Sequence, residues 1–373
     1  MNVMLYRRKV LLALIDIFGG AIDKLFLQKM LFLLSQRQEK PVYEFIPYNY
    51  GGYSFTAQWD INGLCARALL QEDEYTITLI EKQNSLNSLH PRDTWIIREI
   101  LRKYRKKQRN ELLRELYEQY PYYATRSKIL EEVLDKEAQK RVEQYRYVEY
   151  RTVLFTIGYE GRSLENYLNA LIRNGIRVLV DVRNNPVSRK PGFSKHQLER
   201  ICRNVDIEYR HFPDVGIAPE LRKGLKTQDD YNELFAAYRR KVLPATVSTQ
   251  QEILNILQCY RRIALTCFEA ESQRCHRHHL AEAISTLPAL PMRWNICEVI
   301  RHAHERFDHR QNISDNFGQI HELVCTAGFR EDGSWTMRSA TGVLLRDDHH
   351  LAAWGSGVST ESSACCRSNA WRA

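Results

Sequence analysis

Three short apolar runs, each followed by polar residues and then a helical pattern, constrain the fold of this chain more than any other feature. They occupy residues 153–157, 177–180 and 262–267. Apolar runs of this length without alternation are typical of strands buried on both faces, as in a parallel sheet. The helical periodicity between them predicts right-handed crossovers. The sequence therefore predicts an α/β fold, with a small, open, mostly parallel sheet flanked by helices.

The N-terminal third has a different pattern. Residues 8–36 show helical periodicity interrupted by Gly19-Gly20, which predicts two helices. The aromatic stretch 43–54, with its own Gly51-Gly52 pair, predicts a short β-hairpin. Paired helices before a hairpin indicate a mainly helical, winged-helix-like domain. The alternative is a small packing domain whose tyrosines lie at the edge of its core.

These patterns divide the chain of 373 residues into four segments. The mainly helical domain covers 1–128, a charged helical connector covers 129–151, and the α/β domain covers 152–288. Residues 289–373 are rich in Trp, His, Arg, Ser and Cys without sustained periodicity. This composition matches neither a usual globular nor a usual disordered segment. Our hypothesis for it is a frameshifted or disordered tail.

The charge of the chain favours polyanionic partners. The formal net charge is +9, and a basic protein attracts nucleic acid through its phosphates. The densest basic stretch is predicted to contact phosphates, and it comprises Arg102, Lys103, Arg105, Lys106, Lys107 and Arg109. The alternative is the solvated face of one long helix that runs to about Leu116.

Membrane and disulfide-rich classes are disfavoured. No apolar run approaches the roughly twenty residues that a membrane span requires. The nine cysteines are scattered over a large chain, which argues against a disulfide framework and for a reducing cytoplasm. We therefore expect a cytoplasmic protein without a membrane partner; its protein partners are left open.

Polar residues follow the first two apolar runs where each predicted strand ends. Gly158 and Tyr159 follow the first run, and a second group follows the next: Asp181, Arg183, Ser188 and Arg189. The glycine allows a close backbone approach to an anion, and arginines bind phosphate with two hydrogen bonds. Asp181 is predicted to orient Arg183 or to act as a base. The alternative is an internal Asp–Arg pair that holds the loop.

The third run ends at Cys267, and Glu269, Cys275, His276 and Arg277 follow closely. Cys275 is predicted at a helix N-terminus, which together with neighbouring arginines lowers the pKa of a thiol. The first prediction is a thiolate nucleophile with His276 or Glu269 as proton carrier, and no cofactor. One alternative is zinc held by Cys267, Cys275 and His279, because residues four apart share a helix face. Another is a buried Cys267 beside a Glu269–Arg277 ion pair.

Taken together, these motifs resemble the family called domain of unknown function 488 over about residues 152–288. The residues that match are Thr156, Gly158, Tyr159, Asp181, Val182, Arg183, Pro186, Ser188, Arg189, Phe193, Tyr209, Cys267, Glu269, Cys275, His276 and Arg277. The resemblance implies a compact α/β domain with no assigned activity, in a DNA-repair, restriction or phage-defence context. It also implies a final short strand, which the residues from Pro291 onward do not show clearly. The segment 24–31 is similar to the opening helix of phage-associated antitoxin domains of the Panacea type.

These observations predict a protein with an anion-binding pocket that acts on or senses nucleic acid or a nucleotide. The alternative is a non-catalytic, antitoxin-like regulator that senses a small anionic ligand. Whether the chain is an enzyme is left open by the sequence. The reactive groups nevertheless fall at the ends of three neighbouring strands, where α/β proteins bind ligands.

Overall fold

The computed structural model of the protein describes residues 4–81, 85–148, 151–288 and 295–299, together with strands Thr326–Phe329 and Trp335–Arg338. Most of the predicted tail, 289–373, lies outside the described residues. Over the part of the chain that is described, no helix has the length and apolar character to cross a bilayer.

The N-terminal part is mainly helical, as predicted. Its helices are α1 (Tyr6–Ile17), α2 (Lys24–Arg37), α3 (Phe55–Cys65), α4 (Pro91–Tyr104), α5 (Arg109–Gln119), α6 (Pro121–Ala124), α7 (Leu130–Val133) and α8 (Lys136–Glu143). Its short strands are β1 (Ala21–Asp23), β2 (Ile46–Tyr48), β3 (Gly51–Tyr53), β4 (Leu70–Glu72) and β5 (Thr76–Leu79). Residues 10–15 of α1 and 27–35 of α2 are buried throughout, so these two helices form the centre of the first core.

Without the hairpin β2–β3, the first 79 residues follow the winged-helix order of helix, strand, helix, helix, strand, strand. Strand β5 pairs antiparallel with both β1 and β4, which gives a three-stranded sheet. The predicted hairpin is present as β2–β3, and it lies apart from the three-stranded sheet in which β4 and β5 pair. Strands β4 and β5 were not predicted, because segments of three and four residues show too little pattern in the sequence.

The segment predicted as a connector belongs to this first core. Helices α7 and α8 contribute buried apolar side chains to it, among them Leu130, Val133, Leu134, Ala138 and Val142. Charged residues cover the outer faces of both helices, and this is why the sequence resembles an exposed linker.

The C-terminal part alternates strands and helices. Its strands are β6 (Val153–Gly158), β7 (Val178–Asp181), β8 (Glu208–His211), β9 (Arg262–Cys267) and β10 (Asn295–Glu298), with β11 (Thr326–Phe329) and β12 (Trp335–Arg338) in a separate antiparallel pair. Its helices are α9 (Leu164–Arg173), α10 (Lys195–Arg203), α11 (Gln228–Ala237), α12 (Leu243–Ala245), α13 (Val247–Tyr260) and α14 (His276–Ser285). Short 3-10 turns occur at Pro213–Val215, Pro219–Arg222 and Ser272–Arg274.

The five strands β10-β6-β9-β7-β8 form one parallel sheet in that order, so the predicted α/β fold is confirmed. Helices α9 and α10 cover one face, and α13 and α14 cover the other. The chain therefore leaves β6 and β7 toward one face and leaves the intervening β9 toward the opposite face. Neighbouring strands whose connections diverge open a crevice at their carboxyl ends, which is where sheets of this kind bind ligands.

Strand β10 extends this unit beyond the predicted end at residue 288. It pairs with β6, and the N–H of Val299 donates to the carbonyl of Thr156 at 2.9 Å. The guanidinium of Arg162 donates to the carbonyl of Val299 at 2.7 Å. A four-residue strand with the sequence Asn-Ile-Cys-Glu carries too little apolar pattern to be recognised beforehand.

Two carboxylates, of which Glu165 is buried and Glu44 half-buried, join the N-terminal and C-terminal parts. Glu165 of α9 accepts hydrogen bonds from the Thr56 N–H at 2.7 Å and the Ser54 hydroxyl at 3.2 Å, at the first turn of α3. In return, the hydroxyl of Ser163, the N-cap of α9, donates to Glu44. Each part thus places a carboxylate at a helix N-terminus of the other, where the helix dipole stabilises negative charge.

Replacing Glu165 with Ala is expected to destabilise the protein by about 1–3 kcal/mol, because it leaves the buried Ser54 hydroxyl and the half-buried Thr56 N–H without an acceptor. Urea unfolding measures the change. Glu199→Ala serves as the control, since Glu199 lies on α10 in a solvent-exposed ion pair with Arg203 and exposed pairs contribute about 0–1 kcal/mol. Equal stability losses for the two variants would contradict the assignment.

A buried lysine predicts a pH dependence of stability. Burial, together with the charge of Arg109, lowers the pKa of Lys29 to about 7 from 10.5, although its Nζ donates to the carbonyl of Gly52 at 2.9 Å. Between these two pH values the unfolded chain holds a proton that the folded chain has lost. The free energy of unfolding therefore rises with pH across this window. Below the window, Lys29 is charged in the folded protein, and its burial destabilises the fold to the full extent.

The variant Lys29→Met should lose this rise, whereas Lys136→Met, at an exposed position of α8, should keep it. Urea unfolding of the three proteins at both ends of the window supplies the comparison. A wild-type profile as flat as that of Lys29→Met would show that Lys29 stays protonated in the fold.

Candidate functional site

Two cysteines and a histidine converge where β9 ends. Cys267 is the last residue of β9, Cys275 is the N-cap of α14, and His276 is its first residue. The Nδ1 atom of His276 lies 3.9 Å from the Sγ of Cys267 and 3.7 Å from the Sγ of Cys275. All three side chains are buried, so they form one enclosed cluster of reactive atoms, which we call the Cys-Cys-His cluster.

A backbone carbonyl fixes the protonation pattern of His276. Its Nε2 lies 2.9 Å from the carbonyl oxygen of Val182, which follows β7. A carbonyl only accepts, so Nε2 carries the proton and Nδ1 presents its lone pair to the two sulfur atoms in the neutral ring. The imidazole is therefore oriented as a base or a metal ligand.

Arg222 completes the site, and sequence reasoning missed it. Its Nη2 lies 2.9 Å from the Nδ1 of His276, and its Nη1 forms an ion pair with Glu269. It lies in the turn Pro219–Arg222, 47 residues from Glu269 in an irregular loop, and no motif marks it. Within the described residues, the Nε of Arg222 and the Oε2 of Glu269 are buried without a hydrogen-bond partner.

The two thiols titrate as a coupled pair. Burial raises the pKa of Cys275, but the hydrogen bond from Cys267 and the positive charge of Arg277 lower it well below the ordinary value. The hydrogen bond to Cys275, and then burial, raise the pKa of Cys267 well above its ordinary value. The first proton therefore leaves Cys275, and the Cys267 thiol donates to the resulting thiolate. Burial and the nearby Cys275 likewise raise the pKa of Glu269.

The histidine of the predicted zinc alternative was wrong. His279 lies outside the Cys-Cys-His cluster: its Nδ1 is 3.3 Å from Glu282 and its ring centroid is 5.0 Å from that of Phe235. Adjacent residues of a helix diverge, and this favoured His279 over His276 in the sequence. Cys275, however, has the extended backbone of an N-cap, with φ −138° and ψ 144°. Its side chain can therefore point to the same place as that of His276.

Asp181 and Arg183 form a buried ion pair beside this cluster. Asp181 accepts from the Arg183 Nε at 2.8 Å and Nη2 at 2.5 Å, and from the Tyr209 hydroxyl at 2.6 Å. The Nη1 of Arg183 donates to the Tyr159 hydroxyl at 3.0 Å and to the carbonyl of Phe193 at 2.8 Å. Most of its donors are engaged within the protein, so the geometry favours a loop-holding role. An anion-binding role for Arg183 and a catalytic role for Asp181 stay predictions.

Gly158 and Arg277 shape the loop that carries Glu269. A Cβ on Gly158 would lie 1.6 Å from the carbonyl oxygen of Glu269, so only glycine allows this approach. Arg277 donates to that same carbonyl at 2.6 Å and to the carbonyl of Ala270 at 3.0 Å. The alternative of a Glu269–Arg277 ion pair was wrong, because the carboxylate of Glu269 pairs with Arg222 instead.

The remaining predicted anion ligands lie on the loop between β7 and α10. Arg189 is exposed, whereas Ser188 is half-buried and its backbone N–H and carbonyl bond to the Ser194 hydroxyl. Lys190, which the sequence did not single out, donates to the carbonyl of Tyr159 at 2.7 Å. The ring of Tyr159 stacks on that of Phe193, with 4.4 Å between their centroids.

The basic stretch 102–109 is not one continuous helix. Helix α4 ends at Tyr104 and α5 begins at Arg109, so the predicted helix to Leu116 was wrong. Acidic neighbours pair with three of the basic side chains: Glu99 with Arg102, and Glu115 with Lys103 and Lys107. Arg105 and Lys106 are exposed, and Arg109 lies over the ring of Tyr50. Nucleic-acid contact by this stretch stays a prediction.

Comparison with known families supports the interpretation of the C-terminal part. Residues 163–284 match the family model described as domain of unknown function DUF488. The predicted resemblance is thus confirmed over most of its range. A search of curated proteins finds no match to the chain. The DUF488 match begins at the N-cap of α9 and ends within α14, so it includes the Cys-Cys-His cluster and the Asp181–Arg183 pair. The antitoxin-like N-terminal resemblance stays a prediction.

Asp181→Asn is expected to lower the free energy of unfolding by about 3–5 kcal/mol, because it leaves the buried guanidinium of Arg183 without its counter-charge. Urea unfolding would show this loss. The control is Asp206→Asn. Asp206 pairs with Arg126, and 84% of the Asp206 side chain is exposed. Exposed ion pairs of this kind contribute about 0–1 kcal/mol to stability. A loss at Asp181 no larger than that at Asp206 would contradict the structural role.

Proposed function

We propose that the carboxyl edge of the parallel sheet binds a nucleotide or a segment of nucleic acid, and that the DUF488 part acts on it. One observation carries this proposal. The Arg222–Glu269 pair lies over the Cys-Cys-His cluster at the point where the strand connections diverge, and each partner keeps one buried polar atom without a hydrogen bond among the described residues. Buried polar groups in this condition favour a ligand that supplies their missing partners.

The surface around this pair suits an anion with an aromatic base. Lys190, on the loop after β7, reaches this surface, because its Nζ donates to the carbonyl of Tyr159 at 2.7 Å. Phe268, between Cys267 and Glu269, is 46% exposed, and its ring lies edge-on to Tyr159 with 5.4 Å between centroids. An exposed aromatic face beside cations is the combination that binds bases by stacking and phosphates by charge.

The chemistry of the pair fits ligand exchange. Phosphate oxygens accept two parallel hydrogen bonds from a guanidinium, so a phosphate competes with Glu269 for Arg222. Burial and Cys275 raise the pKa of Glu269, and release from Arg222 would raise it further. The carboxyl group would then be placed to move a proton during a reaction. Cys275 is fully buried, so a nucleophilic role for it requires the Arg222 loop to move.

A regulatory function is the second candidate, and a specific contact favours it. The loop after β7 runs from the Asp181–Arg183 pair to Gly192, where a Cβ would lie 2.8 Å from the ring of Trp59 in α3. Glu165 also occupies the N-terminus of α3. A ligand that shifts this loop would therefore act on a helix of the winged-helix-like part, without any reaction taking place.

Arg222→Gln is expected to weaken binding of AMP and of a labelled single-stranded oligonucleotide by at least about tenfold, through loss of a charge-assisted contact. The control Arg203→Gln, at an exposed position on α10, should bind as the wild type does. Fluorescence anisotropy and calorimetry at two salt concentrations supply the measurements. Binding unaffected by Arg222→Gln, or binding that does not weaken with salt, would refute a phosphate-dominated mode.

Glu269→Gln distinguishes the enzymatic function from the regulatory one. If the protein is an enzyme, this variant should still bind the ligand but no longer convert it. Chromatography of the products measures the conversion. A regulator should show no turnover in either protein, while ligand binding alters protection of α3 in hydrogen exchange.

A further inference from the structure

We propose that Cys267, Cys275 and His276 bind a zinc ion through two sulfur atoms and Nδ1, with a fourth coordination position open toward Glu269. This proposal does not depend on nucleotide binding, because it rests on the geometry of the Cys-Cys-His cluster alone. It differs from the alternative predicted from sequence in its histidine and in the open position.

The distances within the cluster suit tetrahedral zinc. Zinc–sulfur bonds of about 2.3 Å and zinc–nitrogen bonds of about 2.0–2.1 Å separate a sulfur and a nitrogen ligand by about 3.5–3.6 Å in a tetrahedron. The two observed Sγ–Nδ1 distances are 3.9 and 3.7 Å, and all ligand atoms lie within 4.8 Å of one another. Small side-chain adjustments therefore bring all three into coordination range.

The three ligands are held by rigid elements. Cys267 ends the central strand β9, which pairs with neighbours on both sides. Cys275 and His276 begin α14, whose N-terminus stabilises a thiolate. The Nε2–H of His276 donates to the carbonyl of Val182 at 2.9 Å. A hydrogen bond of this kind on the far nitrogen is the usual support of a zinc-bound imidazole.

Arg222 occupies the direction from which the cation would approach. Its Nη2 lies 2.9 Å from the Nδ1 lone pair that a metal needs, so guanidinium and zinc compete for the same place. The side chain is 29% exposed and lies on a four-residue turn, which gives it a route toward solvent. In the absence of metal, its positive charge stabilises the buried sulfur and carboxylate groups. Metal binding would displace Arg222 from His276.

The fourth position is the one that catalytic zinc sites leave for water. Glu269 pairs with the same guanidinium that contacts Nδ1, so its carboxyl group faces this position from the side of Arg222. A water molecule bound there would pass one proton to the carboxylate of Glu269 and leave hydroxide on the zinc. The site would thus supply a nucleophile for hydrolysis while Cys275 stays buried as a ligand.

The test uses the full chain, stripped of metal and kept reduced, with zinc and cobalt(II) as probes. We expect one metal ion per chain and a thiolate-to-cobalt charge-transfer band that falls by about half in Cys267→Ser, since one of two sulfur ligands is lost. His276→Ala should weaken zinc binding at least about 100-fold, more than the roughly 10–100-fold that loss of an outer partner causes. Two matched controls, His279→Ala on the same helix and Cys202→Ser at another buried cysteine, should bind zinc as the wild type does.

The variant Arg222→Gln leaves all three zinc ligands in place, so it provides a test that does not depend on the folding of the Cys267 and His276 variants. Removing the competing cation should tighten zinc binding severalfold, although the same variant should lose nucleotide binding. Measurements on this variant can therefore refute nucleotide binding and zinc binding independently of each other. Zinc binding equal in wild type and His276→Ala, or a wild-type cobalt complex without the charge-transfer band, would each overturn the metal site. Unchanged zinc binding in Arg222→Gln would overturn the competition between guanidinium and zinc.

Discussion

The buried ion pair between Asp181 and Arg183 supports the geometry of the whole sheet edge. Two charges in a protein interior are stabilised only when hydrogen bonds satisfy their remaining donors and acceptors. Here the side chains of Tyr209 and Tyr159 and the carbonyl of Phe193 provide those bonds. The pair thereby fixes the start of the loop after β7. That loop carries the Val182 carbonyl, which orients His276. The arrangement of the Cys-Cys-His cluster therefore depends on the Asp181–Arg183 ion pair.

The same edge connects the two parts of the protein. Glu165 satisfies the first turn of α3, and Gly192 allows Trp59 of α3 to pack against the loop after β7. Ser54 is buried at the N-terminus of α3, and its hydroxyl donates to Glu165 of the C-terminal part. Helix α3 therefore forms a contact between the two parts of the protein.

The sequence predicted the sheet because β6, β7 and β9 are each a run of mostly apolar residues that is buried on both faces and followed by a helix. Strands β4, β5 and β10 escaped prediction, since they mix apolar with polar or charged residues and form no continuous apolar run. At the site, the cysteines, Glu269 and His276 were identified because they lie close together in the sequence at a strand end. The sequence did not show that His276 contacts the two cysteines, because Cys275 is an N-cap and the helical spacing rule does not hold there. Arg222 had no signal at all: it is one arginine in an irregular loop.

The sequence by itself determined the α/β class, the mainly helical N-terminal part and the strand ends that carry reactive groups, because these follow from local periodicity and strand length. Only the tertiary structure decided which groups meet. It placed β9 between β6 and β7, directed Arg277 to backbone carbonyls, and brought Arg222 from 47 residues away to the Glu269 carboxylate. Strand order and loop paths depend on how apolar faces pack across the whole sheet, and no local pattern encodes that packing.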